Sequence, residues 1–229
     1  MMTPTILFDL DGTLVDTARD LVEALNAVLD HHGRTPVSVD EGRLMVGYGG
    51  RALLKHGFAA TGTPADDGLL DTCFPLFLEK YEAHLTRYST LYPGLVAQLT
   101  SLVEEGIQLG VVTNKPERLA RLVLTETGID HYFSALIGGD TLAEKKPHPA
   151  PLIAALNQMG GSAAHALMVG DSQIDKDSAQ AARMVFIGVS FGYSKPPMAA
   201  LEPDGLLNHY DDLPAVAHHL RPLDFSPPS

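Results

Sequence analysis

Beyond "LYPGL" at Leu91 to Leu95, short apolar runs alternate with helical segments, and this alternation constrains the fold more than any other feature. "IQLGVVTN", "YFSALIGG", "HALMVGD" and "MVFIGVS" have the length and texture of buried strands. Helices are expected between them, from about Arg118 to Thr127, from Pro151 to Met159 and around Ser178 to Arg183. Strands separated by helices imply a parallel sheet covered on both faces. "ILFDLDGTLVDT", Ile6 to Thr17, supplies a first strand far upstream. Between the two lie only helical patterns. Thr17 to His32 carries Leu21, Val22, Leu25, Val28 and Leu29 on one face, with Asp16 or Thr17 as cap, Asp20 in the first turn and Gly33 as stop. Val39 to about Arg87 continues helical around the loop "TGTPADDG", where Pro64 suits the first turn of a following helix. The chain therefore reads as α/β: a discontinuous core of 1–15 and 88–221, an all-helical insertion over 16–87, and a flexible tail at 222–229.

With 45% hydrophobic residues there is enough apolar material for such a core. The formal net charge of -12 argues against nucleic acid and anionic membranes as partners, since both need Lys/Arg clusters. Cys73 is the single cysteine, which precludes an intrachain disulfide and suits a reducing compartment. "DLDG" interrupts the opening apolar run, so no signal peptide or membrane span is expected, and a cytoplasmic protein, monomeric or homodimeric, is the default.

In Rossmann-like open sheets, ligands bind beyond the carboxyl ends of the strands. The residues just past the apolar runs form a coherent set: Asp9 and Asp11, then Thr113 and Asn114, then Asp171 with Asp175 four residues on. "EKKPHP" adds Lys145 and Lys146. Carboxylates without His/Cys spacing suit a hard cation such as magnesium, which keeps waters and binds phosphate alongside.

"DLDGT" at Asp9 to Thr13, Thr113 after its strand, Lys146 in "KKPHP" and "GDSQID" at Gly170 to Asp175 resemble, in order and spacing, the four motifs of haloacid dehalogenase superfamily hydrolases. The resemblance implies a nucleophilic Asp9 that forms an aspartyl-phosphate, and an Asp11 that protonates the leaving oxygen and then activates water. It implies that Thr113 binds phosphoryl oxygens and that Lys146 holds Asp9 and the phosphoryl charge. Mg2+ would sit on the Asp9 carboxylate, the Asp11 backbone carbonyl and Asp171, with Asp175 ligating directly or through water. Superfamily members that displace halide lack the second acid, so Asp11 points to a phosphatase.

The helical insertion resembles the small cap of this superfamily, which closes over the site and reads the leaving group. Within it, "VGYGGRALL" resembles the glycine-containing segment of phosphoglycolate phosphatases, as do "YPGL" and "KKPHPAPL". Gly47, Gly49 and Arg51 are candidate substrate residues on this basis, although a helix-helix turn and a solvated arginine account for the same residues. Asn114 either orients the phosphoryl loop or caps the next turn. Tyr48 stands where that segment often has Asn, Ile174 where the fourth motif often has Asn, and Arg183 where a later A-A-G has Gly. The histidine pairs His31, His32 and His218, His219 lack ligand spacing and read as surface, and a packing role is expected for His148. The expected activity is hydrolysis of a small phosphorylated metabolite, 2-phosphoglycolate first. A phosphosugar phosphatase, a phosphomutase and a non-enzymatic binding protein are the alternatives, the last disfavoured by Asp11.

Overall fold

The computed structural model describes residues 4–215. In chain order, strand β1 (Thr5–Phe8) leads to a two-residue strand β2 (Val15–Asp16) and four helices: α1 (Ala18–His31), α2 (Val39–Arg43), α3 (Gly50–Ala60) and α4 (Asp67–Glu82). The chain returns through β3 (Thr90–Leu91), followed by α5 (Leu95–Glu104), β4 (Gln108–Val112), α6 (Glu117–Glu126), β5 (Ala135–Ile137) and α7 (Ala150–Met159). It closes with β6 (Ala166–Gly170), α8 (Gln173–Ala181), β7 (Val185–Val189) and β8 (Gly205–Leu207).

The main sheet is six-stranded and parallel throughout, in the order β5-β4-β1-β6-β7-β8. After β1 the chain builds outward through β4 and β5, then crosses back to place β6 on the opposite side of β1. That reversal leaves a crevice at the carboxyl end of β1, where doubly wound sheets bind ligands. Phe8 stands level with Val111 and Val169, so the residues that follow β1, β4 and β6 emerge side by side. The strands are buried because helices cover both faces. Leu95, Leu99, Val123 and Leu124 are among the side chains packed on one side, and Leu152, Ala155, Leu156 and Ala179 on the other.

The helices α1 to α4 pack on one another over this edge. α1 buries the apolar face expected of it, and Gly33 (φ 65°) ends it in the left-handed conformation that glycine adopts without strain. Of the two caps expected at its start, Asp16 reaches Ala18 N with its Oδ1 at 3.4 Å. The Thr17 side chain makes no cap; the Tyr193 hydroxyl, from the loop after β7, accepts from Thr17 N and Ala18 N at 2.8 and 3.0 Å and donates to Asp16. Asp20 lies in the first turn as expected. It is buried, and its carboxylate accepts from Tyr88 N and from Ser89 Oγ at 2.6 Å, tying α1 to the returning chain. α4 starts after Pro64, with Asp66 as its N-cap accepting from Leu69 N at 2.8 Å.

The short paired strands β2 and β3, the outer strand β8 and helix α5 were not expected from the sequence. The "YFSALIGG" strand shrinks to Ala135–Ile137 because Tyr132 lies in a 3-10 turn. His31 and His32 are exposed as expected, His32 against Phe58. His148 is also exposed, with its ring accepting from Ala150 N, so the packing role expected for it is corrected. His218, His219 and the 222–229 tail lie outside the described residues. Among the described residues, no helix is long and apolar enough to cross a membrane.

Candidate active site

Asp9 follows β1 directly, and its backbone N–H continues the ladder to Val169 O at 2.9 Å. Its Oδ1 accepts from Leu10 N at 2.7 Å and pairs with Lys146 Nζ at 3.0 Å. Burial raises the Asp9 pKa from 3.8 to about 6, with Asp175 and Asp11 adding to the rise and Lys146 opposing it. The turn that follows needs Gly12. Its φ is 81°, and a Cβ there would collide with the Asp171 carboxylate and the Tyr193 ring.

Asp171 follows β6, fully buried, and burial next to Asp175 and Asp9 holds its pKa well above the usual carboxylate range. Its Oδ2 accepts from Tyr193 N at 2.7 Å, whereas its Oδ1 is buried with no hydrogen-bond partner among the described residues. Asp175 sits in the first turn of α8, where it completes a capping box with Ser172. Both of its oxygens are engaged, Oδ1 by Lys146 Nζ at 2.6 Å and Oδ2 by Ser172 Oγ at 2.6 Å.

Oxygens of Asp9, Asp171 and Asp175 lie within 4.8 Å of one another. Three buried carboxylates held that close repel unless a cation lies among them, and Lys146 is one. Its Nζ also donates to Val112 O at 2.7 Å; burial would lower its pKa, but Asp175 and Asp9 outweigh this and raise it. The orphaned Asp171 Oδ1 remains, which is what an all-oxygen cation site leaves when its donors are in place. The donor set therefore fits a hard divalent ion. Lys145, next to Lys146, is exposed.

Thr113 emerges buried from β4, and the Asn114 amide donates to Lys146 O at 3.0 Å while its Oδ1 has no partner among the described residues. Both line a cleft with Asp9, Asp11, Gly49 and Gly50, so the loop before α3 reaches the carboxyl edge of the sheet. A Cβ on Gly49 would come within 3.8 Å of Asn114. Gly47 lies in the 3-10 turn Val46–Tyr48 just before. Arg51 does not line this cleft. Its guanidinium pairs with Asp67 at 3.0 Å and with Asp71, both on α4, and the aromatic ring of Tyr48 is half exposed beside His56.

Sequence reasoning passed over Lys115. It is buried, and its Nζ reaches both oxygens of Asp11 at 2.7 and 2.8 Å, while Thr17 Oγ1 donates to Asp11 Oδ1 at 2.6 Å. Burial would lower the Lys115 pKa, but Asp11 and Tyr81 outweigh it and push it up. The Tyr81 ring of α4 lies beneath the ammonium, 4.6 Å to its centroid. A cation three residues past a strand that ends at this edge was the available signal.

Comparison with known proteins places this geometry. Residues 6–189 match the model of the family described as haloacid dehalogenase-like hydrolase. A phosphoglycolate phosphatase of Agrobacterium fabrum is 39% identical over 96% of this chain and 94% of its own. One from Caulobacter vibrioides is 40% identical over 92% of this chain and 89% of its own. A crystal structure of a predicted phosphoglycolate phosphatase from Haemophilus somnus superposes with a TM-score of 0.87 at 31% identity, covering 95% of this chain and 99% of that one. With its parallel sheet, its acid cluster beyond β1 and β6 and a family match across most of its length, the chain belongs to the haloacid dehalogenase-like hydrolases.

Proposed function

We propose that this chain, a phosphatase of its family, hydrolyses a small phosphomonoester, 2-phosphoglycolate, through a phosphoryl group carried on Asp9, with Mg2+ as cofactor. One observation carries the reading: a buried carboxylate at the switch point of the sheet shares its site with Asp171 and Asp175 and is clamped by Lys146. The relatives named above add the choice of ester.

In this reading the Asp9 carboxylate attacks phosphorus while Lys146 and the Leu10 N–H hold its Oδ1 in place. Thr113 and Asn114, facing the same cleft, donate to the equatorial oxygens, where phosphoryl transfer gathers charge. Mg2+, held by Asp9, Asp171 and the Asp11 carbonyl, would neutralise that charge and fix the phosphoryl group in line. Asp175, with both oxygens already engaged by protein donors, fits a role through water or by positioning Lys146. Asp11, which only accepts hydrogen bonds as it stands, takes up a proton from solvent as substrate enters, gives it to the departing oxygen and later takes one from the attacking water. To do so it must leave Lys115 and Thr17, which now hold it.

The cleft offers only about 30 Å³, room for a water or two and not for an ester. We read residues 16–87 as a cap that opens on the β2/β3 hinge to admit substrate and closes to exclude water. The test is phosphate release from 2-phosphoglycolate and a panel of sugar phosphates, with Mg2+ and with EDTA. Metal-dependent release that favours 2-phosphoglycolate, and that Asp9→Asn lowers at least about a thousand-fold, is the expected result. A folded, metal-loaded protein that releases phosphate from none of the panel would overturn the reading.

A further inference from the structure

The two buried lysines of the site keep different company. Lys146 is spent on Asp9, Asp175 and the Val112 carbonyl, and it does not line the cleft. Lys115 does, and it is the one cation among the described residues that line it. Its partners are Asp11, which the reading above makes the acid for the leaving group, and the face of Tyr81 from α4. The rest of the wall contributed by α1, α3 and α4 is apolar, with Leu21, Leu53 and Phe77. The Tyr81 hydroxyl is buried there without a hydrogen-bond partner among the described residues.

This arrangement creates a conflict that the chemistry must resolve. Asp11 cannot keep both oxygens on Lys115 and also reach the ester oxygen of a substrate. When it turns to the leaving group, Lys115 loses its counterion in a site closed to water, and a buried charge without a partner is strongly disfavoured. A substrate that carries its own anion next to the phosphoryl group removes the conflict, because its carboxylate takes the place that Asp11 gives up. A neutral leaving group cannot do this, so Asp11 stays on the lysine.

We propose that Lys115 is the residue that selects the leaving group: its ammonium passes from Asp11 to a carboxylate on the departing alcohol, and only small anionic esters thereby free Asp11 for its work. The inference rests on the phosphatase reading above and deepens it. It also gives the cap a part in recognition, since Tyr81 covers the ammonium only where α4 lies over the sheet edge.

The experiment compares 2-phosphoglycolate with its carboxyl methyl ester, which keeps the phosphoryl group and loses the second charge. In the wild-type protein with Mg2+, kcat/KM should be at least about 30-fold higher for the carboxylate, the size of one charge-assisted contact in a dry site. Part of that difference should lie in kcat, because the carboxylate also releases Asp11. Lys115→Met should bring the ratio of the two esters to within about threefold, and Lys115→Arg should keep it above about tenfold. Two outcomes would overturn the proposal: a wild-type ratio near one with both esters turned over, or a Lys115→Met protein in which both esters slow equally and the ratio stands. Circular dichroism shows whether Lys115→Met is folded; if it is not, the wild-type ratio and Lys115→Arg decide. Wild-type protein that turns over neither ester nor any other phosphomonoester would sink the phosphatase reading itself, and this inference with it.

Discussion

Asp9 shows how one residue can work against the fold that holds it. Its pKa of about 6, against an ordinary 3.8, means that the folded chain binds a proton more tightly than the unfolded one. Unfolding therefore releases that proton, and the stability this group contributes falls as pH rises from about 4 through 6. At about 1.4 kcal/mol per pH unit, the gap is worth about 3 kcal/mol at pH 7. Asp9→Asn should thus stabilise the metal-free protein at pH 7.5 by up to about 3 kcal/mol and have little effect near pH 4. Urea melts in EDTA at the two pH values check this, and equal effects at both would refute it. Arg183 is a second strained residue. Its φ of 57° is the left-handed conformation that glycine tolerates. Exposed and away from the site, Arg183→Gly should raise stability by about 1 kcal/mol, read as a higher melting temperature with unchanged turnover.

Among elements, the junction where β2 meets α1 is the one built from borrowed groups. α1 begins without a side-chain cap from Thr17, and the Tyr193 hydroxyl serves its first two N–H groups while donating to Asp16. Asp16 in turn pairs with Arg43 at 2.6 Å. Tyr193→Phe removes an acceptor from two buried N–H groups and should cost about 1–2 kcal/mol, measured by denaturant melts. A loss below about 0.3 kcal/mol would show that water replaces the hydroxyl. The Arg118–Glu82 pair, which joins α6 to α4 at 2.5 Å, is exposed on both sides and should contribute almost nothing by comparison. β2 and β3, of two residues each, were not legible in sequence because alternation needs a longer run to show. α5 was legible in principle, since Leu95, Leu99 and Leu102 recur at helical spacing.

For the whole molecule, a cation bound at the acid cluster would tie folding to metal. Asp171 Oδ1 has no partner among the described residues, and a divalent ion held where Asp9 and Asp171 converge needs the fold that brings them together. Mg2+ at a hundred times its Kd should stabilise the protein by about 2.7 kcal/mol, or roughly 5–10 °C in Tm for a chain of this size. Asp171→Asn should abolish most of that gain. A thermal melt with and without Mg2+ tests it, independently of any substrate. A wild-type Tm that Mg2+ leaves unmoved would remove the cation from this site.

What the sequence determined by itself was the sheet, save its outer strand β8, and the residues at its carboxyl edge. Strand runs and turn glycines are local, and in a parallel sheet the residue after each strand has nowhere to go but the shared rim. Asp9, Thr113 and Asp171 were legible for that reason. The tertiary structure alone decided the partners. Lys115 lies 104 residues from Asp11, and Tyr193 lies 176 from the Thr17 it caps. It also sent Arg51 to the acids of α4 and away from the cleft. A side chain's reach depends on which helices cover the edge, and helix packing over a sheet depends on long-range contacts that no local pattern records.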